Sequence, residues 1–135
     1  MISVIICTYN RDKYIGQLLD SLAKNDYPET NYEIILVDNA STDGSKEYFE
    51  KDSRITYIYN QENLGFGKAN NVGAKYAQGK YLFLLNSDTL LLDNSIKSFF
   101  DYMQMYPDVA ACGGKLIKAN GQEVASHGVF PSLLE

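Results

Sequence analysis

The chain has 135 residues, of which 45% are hydrophobic and 21% are charged, and these proportions are typical of a globular domain with a buried core. A formal net charge of −5 excludes nucleic acid as the main partner, because no basic stripe is available to neutralise phosphates. Apolar runs stay short of the ~20 residues that cross a bilayer, and Met1 leads into strand-like sequence without a signal peptide. We therefore expect no membrane span and a cytoplasmic location, which includes the inner face of the membrane.

Short apolar runs alternate with amphipathic segments in the first hundred residues. The run Ser3–Cys7 is rich in β-branched side chains, which is typical of a strand buried on both faces of a parallel sheet. Apolar side chains then recur at helical spacing from Ile15 to Leu22, which predicts a helix over residues 13–24. The same plan follows with a strand over 34–37 and a helix over 44–51.

Two further strands are predicted at residues 55–59 and 81–85. They are separated by a helix that Gly79 closes, since glycine is common just past a helix C-terminus. A fourth helix follows, with apolar side chains at helical spacing at Ile96, Phe99, Phe100 and Met103. This alternation predicts an α/β fold with a mostly parallel sheet and helices on both faces.

The last quarter of the chain is less regular. Val109–Cys112 predicts a fifth short strand. The pair Asn120-Gly121 predicts a hairpin between residues 115–118 and 123–126, because Asn-Gly suits a tight turn. We expect residues 1–135 to form a single domain.

The cysteines and the histidine do not indicate a catalytic centre. Cys7 and Cys112 each end an apolar run, which favours buried thiols over a disulfide or a metal pair. No histidine accompanies Cys7, so a cysteine nucleophile is not indicated. His127, the one histidine, is expected at the surface.

Asp88 follows the fourth predicted strand in the tripeptide Asn86-Ser87-Asp88. In open α/β sheets, ligands bind beyond the carboxyl ends of the strands. One carboxylate with neighbouring oxygen donors, completed by phosphate oxygens and water, suits Mg²⁺ or Mn²⁺. The position of Asp88 therefore predicts a site for a divalent cation that binds the diphosphate of a sugar nucleotide. Helix capping is the alternative interpretation, but Leu90-Leu91-Leu92 follows and separates Asp88 from the next helix.

Asp38 follows the second predicted strand in the same way. Thr8, Tyr9 and Asn10, after the first strand, are expected beside it. Tyr9 would stack on a pyrimidine ring and Asp38 would accept the ring N–H. The alternative interpretation, an aspartate that only shapes its turn, stays open.

A glycine-bearing segment precedes the third predicted helix. Gly65 and Gly67 would let backbone N–H groups approach an anion at the helix N-terminus, and Lys68 would reach phosphate. The segment matches neither a Walker loop nor G-x-G-x-x-G, so dinucleotide binding is not indicated. Tight helix–sheet packing is the alternative explanation of the glycines.

With these residues in place, the chain resembles the nucleotide-binding half of a family 2 glycosyltransferase of the Rossmann-like GT-A fold. The resemblance rests on four segments in order, which are Val4–Arg11, Ile35–Gly44, Asn63–Asn70 and Leu84–Asp88. It implies that Asp38 binds the base, that the segment with Gly65, Lys68 and Asn70 covers the nucleotide, and that Ser87 and Asp88 belong to a DxD-type metal motif. The variants here are similar to rhamnosyltransferase-like members, which suggests dTDP-rhamnose as one donor.

The resemblance implies an enzyme that transfers a sugar, with inversion, from a UDP- or dTDP-sugar to the hydroxyl of a glycan or lipid-linked acceptor, in cell-surface polysaccharide synthesis. Asn86 replaces the first aspartate of the usual metal motif, which predicts weaker metal affinity. Family members exceed 200 residues and carry their catalytic base in a later acidic motif. We therefore expect a fragment, truncated at its C-terminus, with its base beyond Glu135 and no turnover by itself.

Two other functions remain as alternatives. A nucleotidyltransferase that makes sugar nucleotides shares the acidic metal site. It is expected to carry a glycine-rich basic loop after the first strand, whereas residues 8–16 of this chain contain a single glycine, Gly16. A non-catalytic domain that recognises a partner through its acidic edge would bind no nucleotide.

Overall fold

The computed structural model of the chain describes residues 1–25, 27–28, 31–92 and 94–125, and His127 lies outside them. The strands in the described residues are β1 (Ile2–Thr8), β2 (Tyr32–Asp38), β3 (Thr56–Tyr59), β4 (Tyr81–Asn86), β5 (Leu116–Ile117) and β6 (Glu123–Val124). The helices are α1 (Asp12–Ala23), α2 (Ser45–Phe49), α3 (Phe66–Ala74) and α4 (Ser95–Met105).

Strands β1 to β4 form one parallel sheet in the order β3-β2-β1-β4. Thr8 pairs with Asp38 across β1 and β2, and Cys7 pairs with Asn86 across β1 and β4. Because all four strands run in one direction, their last residues meet at one border of the sheet, which we call the carboxyl edge. The predicted α/β class with a parallel sheet is confirmed.

One face of the sheet is covered by α3. Ile5, Ile35 and Val37 form a buried cluster with Ala69 of this helix. The helix lies very close to the sheet at Gly73, where a Cβ atom would stand 2.6 Å from Cγ2 of Ile5. A glycine at this position therefore lets the helix approach β1.

The other face is covered by α1. Successive strand residues point to opposite faces, so Ile34 points away from the α3 cluster. Ile34 lines a shallow cleft together with Leu19 and Ala23 of α1. The apolar side of α1 is buried at Ile15, Leu18, Leu19 and Leu22. Helices on both faces of the sheet are thus confirmed.

The chain divides into two compact units, residues 1–97 and 98–135. In the second unit, β5 and β6 pair antiparallel, and Lys115 forms an ion pair of 2.5 Å with Glu123. Gly121 in their turn has φ +83°, a left-handed conformation that glycine adopts readily. The predicted hairpin is confirmed over shorter strands.

Three predictions from the sequence are wrong in detail. Val109–Cys112 forms no strand, because no described segment offers these residues a ladder of backbone hydrogen bonds. Cys112 is exposed rather than buried. The third helix ends at Ala74, five residues before Gly79, and Gly79 instead lies against Ser3 in the turn that enters β4.

Among the described residues, no helix is long and apolar enough to span a membrane.

Candidate functional site

The carboxyl edge of the sheet brings together residues from three separate segments. Thr8 and Asp38 are register partners on adjacent strands. Asn86 ends β4 on the other side of β1, and Asp88 follows two residues later. The parallel register therefore places the predicted aspartates 38 and 88 at the same edge, with β1 between their strands.

Asp38 is fully buried, and its carboxylate already has donors within the protein. Oδ1 accepts a hydrogen bond of 2.8 Å from the Ser41 N–H, and Oδ2 accepts one from the Tyr57 hydroxyl. Burial and the neighbouring carboxylate both raise the pKa of Tyr57 above its ordinary value, so this phenol remains a donor at neutral pH. Asp38 organises the turn after β2 whether or not it also contacts a ligand.

The loop after β1 is fastened to the loop after β2. The Asn10 N–H donates to Oγ of Ser41 at 2.9 Å, and Oδ1 of Asn10 accepts from the Thr42 N–H at 2.8 Å. A third, longer bond of 3.3 Å joins the Asp12 N–H to Asp43. Asn10 adopts φ +52°, a conformation that asparagine tolerates better than most residues. The side chain of Asn10 thus serves the scaffold.

Asp43 is held in its ionised form by these contacts. Burial by itself would raise the pKa of its carboxyl group, but hydrogen bonds from the Ser45 hydroxyl and from the backbone N–H groups of Ser45 and Asp12 lower the pKa overall. Asp43 therefore joins the start of α1 to the start of α2 as a charged acceptor.

Thr8 and Tyr9 present different atoms at the carboxyl edge. Thr8 is buried, and its Oγ1 atom has no hydrogen-bond partner within the described residues. Tyr9 is 48% exposed, so part of its side chain is accessible to a ligand. A buried hydroxyl without a partner is uncommon in native proteins and is satisfied when a ligand supplies the missing hydrogen bond.

The N-terminus of α3 presents the third group of predicted residues. Gly65 precedes the helix with φ +76°, and its N–H donates to Oδ1 of Asn63 at 2.9 Å. Lys68 is exposed on the first turn. Asn70 is buried, and it donates to the Phe66 carbonyl at 3.1 Å while its Oδ1 atom has no partner among the described residues. Lys68 and Asn70 therefore retain polar atoms for a ligand, whereas the Gly65 N–H is occupied.

The segment after β4 carries the predicted metal ligand. Asp88 is exposed, and in the described part of the chain its carboxylate makes no hydrogen bond or ion pair. The Asn86 carbonyl accepts two hydrogen bonds from Thr89, which fixes the turn, while the Asn86 side chain is exposed. The described residues contain no cluster of three side chains of the His, Cys, Asp or Glu type that would hold a metal alone. This donor set fits Mg²⁺ or Mn²⁺, which keep water and phosphate among their ligands.

Two buried or half-buried residues at this edge were missed from the sequence. Tyr57 lies on β3, where it pairs with Leu36 of β2, and its hydroxyl donates a hydrogen bond to Asp38. Asn39 follows Asp38 and contacts Asn60 and Leu64. Strand alternation gave the only available signal for Asn39, since it turns this side chain to the face opposite Asp38.

Relatives of known name are longer than this chain. TarS of Staphylococcus aureus, a poly(ribitol-phosphate) beta-N-acetylglucosaminyltransferase, is 37% identical over 141 residues, which is 98% of this chain and 23% of TarS. TuaG of Bacillus subtilis, a glycosyltransferase provisionally assigned to teichuronic acid biosynthesis, is 32% identical over 76% of this chain and 42% of TuaG. The chain thus spans less than half the length of these relatives.

Solved structures of similar fold contain nucleotides. A crystal structure of TarS in complex with UDP superimposes with a TM-score of 0.72 and 34% identity, covering 78% of this chain and 32% of the TarS chain. The mannosyltransferase PcManGT from Pyrobaculum calidifontis, in complex with GDP-Man and Mn²⁺, gives a TM-score of 0.70 and 27% identity over 76% of this chain and 32% of its own. The family model described as Glycosyl transferase family 2 matches residues 3–128. With its parallel sheet and the polar groups at the carboxyl edge, the chain belongs to glycosyltransferase family 2 and has the GT-A fold.

Proposed function

We propose that this chain forms the donor-binding part of an inverting glycosyltransferase that moves a sugar from a UDP- or dTDP-sugar to an acceptor hydroxyl in cell-surface polysaccharide synthesis. The observation that carries the proposal is the register of the sheet, which sets Thr8, Asp38 and Asn86 on three adjacent strand ends. Ligands of open α/β sheets bind at such an edge. The acceptor is a glycan or a lipid-linked glycan, and the reaction takes place in the cytoplasm or at the inner face of the membrane.

The proposed nucleoside site lies at the ends of β1 and β2. Tyr9 stacks on the base with its exposed ring, and Thr8 Oγ1 gains the hydrogen bond that it lacks in the described residues. Asp38 accepts the ring N–H through a remaining lone pair, because a carboxylate with two donors still has acceptor capacity. The exposed Asn10 completes the rim of this site.

The proposed diphosphate site lies at the end of β4 and the start of α3. Asp88 and the oxygen atoms of Ser87 would hold a divalent cation, which supplies positive charge to the diphosphate leaving group. Lys68 is exposed on the first turn of α3 and contributes a second positive charge. Asn70, whose Oδ1 atom has no partner among the described residues, orients the donor, and Gly65 shapes the turn that leads into α3. The base that removes the acceptor proton is expected beyond Glu135.

Calorimetric titration with UDP, dTDP and GDP, each with and without Mn²⁺, tests this assignment. We expect UDP or dTDP to bind more tightly than GDP, and Mn²⁺ to increase the affinity. Absence of binding by all three nucleotides would favour a non-catalytic interaction domain. Release of pyrophosphate from a nucleoside triphosphate and a sugar phosphate would favour the nucleotidyltransferase alternative.

A further inference from the structure

We propose that Asn39 is the positioning residue that holds the loop over residues 60–65 in the arrangement that receives the nucleotide. We call this segment the β3–α3 loop, since it joins β3 to the N-terminus of α3. The inference rests on the proposed function, because it assigns a role to a residue that supports the donor site without contacting the donor.

Both ends of the Asn39 amide are used by this loop. Oδ1 accepts a hydrogen bond of 2.9 Å from Nδ2 of Asn60 and a longer one of 3.4 Å from the Leu64 N–H. Nδ2 donates to the Gly65 carbonyl at 3.4 Å. Asn39 is 5% exposed, so water competes little with these bonds. One side chain thereby fixes both the beginning and the end of the loop.

The β3–α3 loop has few other attachments to the sheet. The Asn60 N–H donates to the Asp38 carbonyl at 2.8 Å, and the Asn63 side chain bonds within the loop to Gly65. Among the described residues, every side-chain hydrogen bond that joins this loop to the end of β2 involves Asn39, the residue that follows the strand. Residues 61–63 are exposed, so burial contributes little to their position.

The backbone on both sides of Asn39 determines the direction of its side chain. The Asn39 N–H donates to the Thr8 carbonyl at 2.9 Å, which continues the pairing of β1 and β2 past the last paired residues. Ala40 then adopts φ +65°, a left-handed conformation that costs free energy in a residue with a Cβ atom. Strain of this kind persists where the surrounding contacts require the turn. Here the turn lets Asn39 bond to one loop and Ser41 bond to Asn10 of another.

The chemistry of the amide predicts which substitutions succeed. Asn39→Asp keeps an acceptor for the Asn60 amide and the Leu64 N–H, but it loses the donor to the Gly65 carbonyl and sets a charged carboxylate oxygen beside that carbonyl at a buried position. Asn39→Ala removes all three bonds and leaves the half-buried amide donor of Asn60 without its acceptor.

The experiment measures UDP affinity by calorimetry in the presence of Mn²⁺ and the hydrogen exchange of the Leu64 amide by NMR. Losing these hydrogen bonds predicts about tenfold weaker UDP binding in Asn39→Ala. Asn39→Asp keeps the two hydrogen bonds that Oδ1 accepts, so it should protect the Leu64 amide better than Asn39→Ala does. We expect the Leu64 amide to exchange faster in Asn39→Ala, while the Gly65 amide, held by Asn63, changes less.

Ser3→Ala is the matched control. Ser3 is fully buried and bonds to Glu33 and to the Gly79 N–H at the opposite border of the sheet. Ser3→Ala should lower thermal stability and leave UDP affinity and Leu64 exchange unchanged. Equal UDP affinity in Asn39→Ala and the parent, or unchanged exchange at Leu64, overturns the inference. If the parent protein binds neither UDP nor dTDP, the proposed function fails, and unaltered Leu64 exchange in Asn39→Ala then shows separately that Asn39 does not hold the loop.

Discussion

The hydroxyl of Tyr57 donates a hydrogen bond to Oδ2 of Asp38, although 19 residues separate them in the sequence. Asp38 is fully buried, and its other carboxylate oxygen accepts from the Ser41 N–H. This carboxylate therefore stabilises the turn after β2, and its proposed contact with the base must be measured separately from its contribution to stability.

Asp38→Ala separates the two roles. Removing the acceptor of two donors at a buried position should lower the free energy of unfolding by ~1–3 kcal/mol. If Asp38 also accepts a ring N–H, nucleoside binding should weaken without metal by a similar ~1–3 kcal/mol. Urea unfolding and calorimetry measure the two quantities. Tyr57→Phe is the control, since it removes one donor from Asp38 and should lower stability while nucleoside binding persists. Unchanged nucleoside affinity in Asp38→Ala would show that Asp38 only shapes its turn.

Asp88→Ala should abolish the increase in nucleotide affinity that Mn²⁺ produces. Because the Asp88 side chain is exposed and makes no bond within the described residues, the melting temperature should stay the same. Asp108→Ala removes another exposed carboxylate and should change neither property. A response to Mn²⁺ that survives in Asp88→Ala would contradict the role of Asp88 at the metal.

Gly79→Ala should destabilise the protein, whereas Gly16→Ala should not. A Cβ atom at Gly79 would lie 2.6 Å from the Ser3 backbone nitrogen and 2.8 Å from the Ile2 carbonyl carbon, and such overpacking costs about 1–3 kcal/mol. Gly16 lies inside α1 with nothing within 4 Å of its Cβ position, so alanine should raise helix stability by up to about 1 kcal/mol. Chemical denaturation of both variants checks the difference, and equal stability of the two would show that the turn moves freely away from β1.

Cys112 should react with a thiol reagent well before Cys7. Burial raises the pKa of the half-buried Cys7 to about 11, so at pH 8 only about 0.1% of it is the reactive thiolate. Cys112 is exposed. Labelling with Ellman's reagent at pH 8 should show one fast thiol that Cys112→Ser removes, and urea should make Cys7 reactive. Two equally fast thiols in the native protein would contradict the packing of β1.

Strand and helix periodicities are local properties, so the amino-acid sequence was enough to predict the class of the fold, the four parallel strands and the segments that carry Asp38 and Asp88. Its errors arose where distant segments decide the outcome. Val109–Cys112 has the composition of a strand but pairs with no described strand, and Gly79 is required by the approach of Ser3 rather than by a helix end.

The tertiary structure alone decided the order of the strands and the direction of the side chains at their ends. Asp38 and Asn39 are neighbours in the sequence, yet one accepts from Tyr57 and the other bonds to Asn60 and Leu64. Adjacent residues at a strand end point to opposite faces of the sheet. The hydrogen-bond partners on each face come from segments some 20 residues away, so they depend on how those segments pack. Local patterns contain no information about those partners, so the roles of Asn39 and Tyr57 became visible only in the folded chain.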